Sequence, residues 1–114
     1  MLVVGPMWVE QFLFESSLVE PLFYQFVDCA ELADEDHQLA GFFRKQLGCT
    51  VKAVPVIHSF PAYGFVIENR IWKLVYSGDT RPSEKLIASG MGATLLIHEA
   101  NFEQDLAAKA VIDR

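Results

Sequence analysis

The sequence predicts an α/β fold, and three observations carry that expectation. Strand-length apolar runs bounded by turn residues alternate with segments of helical periodicity. The chain has 114 residues, at most one domain and long enough to bury a core. Polar side chains suited to chemistry close three of the predicted strands: His58 after 51–57, Asp79 after 71–76 and His98 after 94–97. Rigid strands ending in exposed loops are where α/β proteins display reactive groups.

In chain order, Leu2-Val3-Val4 reads as a buried strand and Gly5-Pro6 as the turn that leaves it. From Trp8 the apolar residues Trp8, Val9, Phe12 and Leu13 recur at helical spacing, and Ser16, Val19, Leu22, Phe23 and Phe26 continue the pattern. Pro21 should break or kink that helix near Glu20, because proline removes a donor and restricts its predecessor. The stripe, Trp8 included, is expected to pack into a core. Residues 28–37 are acidic and irregular, a solvated connector, with His37 among Asp34, Glu35 and Asp36 at a charged helix start. The next helix shows Leu39, Phe42, Phe43 and Leu47 on one face and stops at Gly48.

The second half is strand-rich. Pro55 within 50–58 favours an edge position or a bulge. Residues 64–68 and 71–76 flank the short polar link Asn69-Arg70, a hairpin signature. The segment 82–89 reads as a helix opened by Pro82 and closed at Gly90. Residues 94–97 form a continuous apolar run, expected to be covered on both faces, and 105–113 is alanine-rich and helical.

Composition narrows the function. Hydrophobic residues make up 52% of the chain and the mean hydropathy is +0.24, which excludes disorder and describes a chain apolar enough to need further cover. An apolar face should therefore lie exposed. No run approaches the roughly 20 apolar residues that cross a bilayer. The short apolar start lacks a basic leader, so neither membrane insertion nor secretion is expected. The net charge of −6 argues against a nucleic-acid grip within these residues. Cys29 and Cys49 lack a metal or redox spacing and read as buried, reduced thiols.

The polar strand ends are the chemical signal. Each residue alone has an ordinary explanation: a hydrogen-bonding histidine, an aspartate holding a turn, a histidine paired with its neighbour. Together, Asp oxygen and neutral His nitrogen are suitable zinc donors, and separate strand ends allow convergence on one point. One Asp and two His are too few for a two-metal centre, which needs about four ligands per ion.

Val56-Ile57-His58-Ser59, then Ala62-Tyr63-Gly64, then Tyr76-Ser77-Gly78-Asp79-Thr80-Arg81-Pro82, then Leu95-Leu96-Ile97-His98-Glu99-Ala100-Asn101-Phe102 resemble motifs of ribonuclease Z in order. That family comprises the tRNA 3′-processing, ELAC-type zinc phosphodiesterases, and the resemblance is to the C-terminal half of the long form. It implies a partial metallo-β-lactamase fold, half of an αββα sandwich, with residues 1–114 an incomplete domain. It further implies His58 as a zinc ligand, Asp79 as the aspartate bridging two Zn²⁺ ions, and His98 as a catalytic proton donor to the leaving group. Glu99 is implied as an orienting residue. Tyr63 and Gly64 read as packing and turn residues.

Asn101 stands where the family has threonine, and Ser59 where long forms commonly have cysteine. The family's His-x-His-x-Asp-His motif is absent from these residues, and its final His-Ser-Thr motif is expected just beyond Arg114. The implied partner is precursor tRNA, with association with the missing half or a homodimer alongside. The implied compartments are nucleus, mitochondrion or cytoplasm. Two other readings are a different hydrolase or phosphodiesterase of the same fold, which would not need His98-Glu99-Ala100, and a non-catalytic interaction module, which would not need Asp79 and His98.

Overall fold

The computed structural model describes residues 1–33 and 39–100. It is a mixed α/β structure in which β1 (Leu2–Gly5), α1 (Met7–Ser17) and β2 (Gln25–Asp28) are followed by α2 (Cys29–Leu32) and α3 (Leu39–Leu47). The strand-rich half follows as β3 (Thr50–Pro55), β4 (Tyr63–Glu68), β5 (Lys73–Tyr76), α4 (Glu84–Gly90) and β6 (Leu95–Ile97). β1 and β2 pair in parallel, joined by the α1 crossover, while β3-β4-β5-β6 form a second sheet in chain order. In that sheet β3–β4 and β4–β5 are antiparallel and β5–β6 is parallel.

Register fixes two apolar rows on one face of the larger sheet. Val51 stands opposite Ile67, Ile67 opposite Leu74, and Leu74 opposite Leu95; beside them run Ala53, Phe65, Tyr76 and Ile97. The β3 end of this face is covered: Ala53 packs with Val27, Cys29, Leu32 and Phe43, and with the flanks of Val51, Tyr63 and Phe65. On the opposite face Val54, Val66 and Val75 pack on Leu86 of α4. Alternation along each strand sends successive side chains into the two cores.

Local signals explain the element ends. Ser83 caps α4, its Oγ accepting from Leu86 N–H at 3.3 Å. The predicted proline start therefore lies two residues too early. Gly48 follows α3 at φ +68°, its N–H donating to Arg44 O at 3.0 Å. Asn69 Oδ1 accepts from the N–H groups of Ile71 and Trp72 and shapes the β4–β5 turn. Pro55 lies on edge strand β3, as its missing donor requires.

Several expectations are corrected. The first helix does not run toward Phe26: it stops at Ser17, four residues before Pro21, and Phe26 belongs to β2. Ser17 Oγ donates to Phe14 O at 2.6 Å, a local bond of the kind that competes with helix continuation. The α1 stripe is not a core here, since no α1 residue is buried and Trp8 and Phe12 are each 62% exposed. Residues 28–33 are no solvated connector: Asp28 Oδ1 accepts from Ala30 N–H and caps α2, which delivers Cys29 and Leu32 to the core. β6 is exposed at all three positions instead of covered. A hydrophobic pattern records a surface that needs cover, not that the same segment supplies it. Residues 34–38, including His37, and the helix expected over 105–113 lie outside the described residues.

The exposed apolar surface expected from composition is present along α1 and β6. Both cysteines are free and buried.

Candidate active site

The rim is formed by three loops that leave β3, β5 and β6. β3 ends at Pro55, and Ile57 makes an isolated antiparallel bridge to Arg81, with Arg81 N–H donating to Ile57 O at 2.8 Å. His58 is the next residue, at the mouth of a loop closed by Val56 N–H donating to Ala62 O at 3.0 Å. The Phe60–Pro61 peptide in this loop is cis.

Asp79 follows β5 on a turn that only glycine completes easily. Gly78 has φ +58°, and a Cβ there would come 2.8 Å from Tyr63 O. Gly64 is also set by close approach, its would-be Cβ 2.7 Å from Tyr76 O. Gly64 is thus a strand residue of β4, as the run 64–68 predicts, and does not serve as the turn residue also read there, while Tyr63 packs against the core as expected.

The structure brings His58 and Asp79 together. Nε2 and Oδ2 are 4.0 Å apart, too far for a hydrogen bond, and both side chains are more than half exposed. Solvent screening makes such a pair weak as an ion pair, so it adds little to stability. Its geometry leaves a nitrogen and a carboxylate oxygen facing the same space.

His98 does not join that pair directly. Its Nδ1 lies 2.6 Å from Glu99 O, and a carbonyl can only accept, so the bond requires the proton on Nδ1. In the neutral ring Nε2 then carries the lone pair. The loop bearing His98 is nevertheless tied to the loop bearing Asp79: Thr80 N–H donates to Glu99 Oε1 and Glu99 N–H donates to Ser77 Oγ, each at 3.0 Å. Ser77 N–H also donates to Ile97 O at 2.9 Å.

Ser77 and Thr80 were quoted within the motif but received no role from the sequence. The signal was present: two hydroxyls flank Gly78-Asp79, and both residues are buried.

Among the described residues no three His, Cys, Asp or Glu side chains are grouped so as to hold a metal ion. The His58–Asp79 pair has the right donor types for zinc, and two donors are half of a tetrahedral set. The residues therefore fit part of a zinc site and not a complete one.

This mixed sheet with flanking helices is a partial metallo-β-lactamase fold: the structure is similar to human tRNase Z, short form, with a TM-score of 0.64 over 98% of this chain and 50% of that one. Identity there is 19%, so that likeness speaks to the fold alone.

Sequence similarity is more particular. The chain is 49% identical over 63 residues to "Ribonuclease Z 2, mitochondrial" of Schizosaccharomyces pombe, which covers 54% of this chain and 9% of the relative. It is 49% identical over 57 residues to human "Zinc phosphodiesterase ELAC protein 2", covering 49% of this chain and 7% of the relative. No protein-family profile matches. The resemblance to ribonuclease Z holds over about half of the chain, and the chain spans less than a tenth of the length of these two relatives.

Proposed function

We propose that this chain is the second half of the catalytic domain of a zinc-dependent endoribonuclease that removes the 3′ trailer from precursor tRNA. The observation that carries the reading is the interlocked rim: in a chain similar to ribonuclease Z proteins, His58 and Asp79 face each other and the His98-Glu99 loop is bonded to the Asp79 loop.

His58 and Asp79 are the residues of this chain that would help hold a two-zinc centre, whose remaining ligands would come from outside residues 1–114. Zinc, when bound, lowers the pKa of a coordinated water so that hydroxide is present near neutral pH. His98 keeps its Nδ1 proton on the Glu99 carbonyl, so protons enter and leave at Nε2. In its imidazolium form it protonates the oxygen that departs from phosphorus, and returns to the neutral ring. Glu99 orients the loop and does not meet the substrate.

In this reading 1–114 is an incomplete domain without the His-x-His-x-Asp-His and final His-Ser-Thr motifs. It associates with the half that carries them, and precursor tRNA binds the assembled protein through cationic surfaces outside this acidic segment. The mitochondrion is the compartment this reading favours, because the fission-yeast relative is named mitochondrial. Among the described residues no helix is long and apolar enough to cross a membrane.

Calorimetric zinc titration and a precursor-tRNA cleavage assay test the proposal on the chain alone and on the chain joined to the missing half. The chain alone should show neither stoichiometric tight zinc binding nor turnover, and the joined protein both. Tight binding with turnover by the chain alone would overturn the incomplete-domain reading, and an inactive joined protein would overturn the nuclease assignment.

A further inference from the structure

We propose that the Thr80 hydroxyl is the positioning group that sets Asp79 against His58. This deepens the reading above, since it concerns the same rim, but it stands on bonds within the chain. Thr80 is 5% exposed, and its three polar contacts reach the loop of His58, the loop of His98 and its own next residue, Arg81. Its Oγ1 accepts the Ile57 N–H at 3.1 Å, on the residue before His58. Its hydroxyl proton goes to Arg81 O at 2.6 Å, and its own N–H goes to the Glu99 carboxylate at 3.0 Å.

Thr80 thus joins the loop of His58, the loop of Asp79 and the loop of His98 at one buried residue. Asp79, by contrast, makes no side-chain hydrogen bond among the described residues; its carboxylate is largely exposed and 4.0 Å from His58. The placement of that pair must come from the backbone on either side. Gly78 sets one side through its positive φ, and Thr80 sets the other.

The hydroxyl, not the bulk of the side chain, is the working part. An Oγ1 that accepts from Ile57 leaves its proton free for the Arg81 carbonyl, so one oxygen ties the Ile57 backbone to the loop that carries Asp79. Valine keeps the shape and removes both bonds; serine keeps both bonds and loses a methyl group.

Thr80→Val, Thr80→Ser and the unchanged protein are compared as the full chain by NMR, reading Ile57 amide exchange and the cross-relaxation between the His58 ring and Asp79 Hβ. A zinc titration of the same three proteins joined to the missing half follows. With valine, Ile57 exchange should accelerate at least about tenfold, the His58–Asp79 cross-peak should vanish, and zinc affinity should fall about 10- to 100-fold, the range seen when groups supporting metal ligands are lost. Serine should restore all three to within about twofold, with coincident far-UV dichroism throughout.

If valine leaves Ile57 exchange and the cross-peak unchanged, or if serine loses as much as valine, the proposal is overturned. Should the valine variant not fold, Thr80→Ala against Thr80→Ser makes the same comparison. An unchanged protein that takes up no zinc sinks the nuclease reading, and the metal-free NMR comparison still decides the role of Thr80.

Discussion

The two apolar rows on the larger sheet meet opposite fates at their two ends. Along one row Ala53 is 0% exposed, while Tyr76 is 45% and Ile97 47% exposed. The side chains are similarly apolar and share one face by register. The difference lies in what sits above them: β2, α2 and α3 supply Val27, Cys29, Leu32 and Phe43 over β3, whereas Leu95 and Ile97 in β6 remain exposed. Burial is thus a property of the partner layer as much as of the strand, and the structure matches 50% of the human tRNase Z chain.

The largest effect should come from breaking the covered end. Phe43 is 1% exposed at the centre of that core, so Phe43→Ala should cost about 3–5 kcal/mol through lost burial and the cavity left behind. Urea unfolding followed by circular dichroism measures it; a loss below about 1 kcal/mol would mean that this end is no better packed than the other.

The next test uses pH on the same core. Burial, with the negative charge of Asp28 second, raises the Cys29 thiol from 9.0 to about 11. Because the folded value is the higher one, the neutral thiol favours folding fully below pH 9, and that contribution is lost as pH rises toward 11. The loss should be on the order of 2 kcal/mol. Cys29→Ala should flatten that part of the stability curve, read as unfolding midpoint against pH.

The smallest effect belongs to the bare end. Leu95→Ser on exposed β6 should change the stability of this chain by no more than about 0.5 kcal/mol. The same change should reduce self-association in light scattering, because it removes part of an exposed apolar surface. A loss comparable to that of Phe43→Ala would show that Leu95 is buried in solution.

Local chemistry made most elements readable. Asn69-Arg70 between two β-rich runs specified the β4–β5 hairpin, Gly48 stopped α3, and Pro55 marked an edge. What escaped depended on distant partners or short-range competition. The aromatic pattern of α1 could not reveal that none of the helix is buried among the described residues, and the helix ended at Ser17, before the proline. The same limit applied to the rim. The strand-end positions of His58, Asp79 and His98 followed from turn residues, but the 4.0 Å approach of His58 to Asp79 depends on a bond between residues 23 apart. Glu99 was legible as an orienting group only through the family motif; in the structure its carboxylate accepts from Thr80 N–H and its N–H donates to Ser77 Oγ.

The neighbour-by-neighbour order of the larger sheet has a consequence for assembly of the rim. Strands β3, β4 and β5 are joined by short hairpin connections, so zipping them closes small loops at low entropic cost. The ties from residue 80 to residue 57 and from residue 99 to residue 77 span 23 and 22 positions. They become short-range only after the hairpins and the α4 crossover have drawn their ends together. A nascent chain thus has to complete its scaffold before the imidazole and carboxylate can meet, which withholds their approach from any partly folded form.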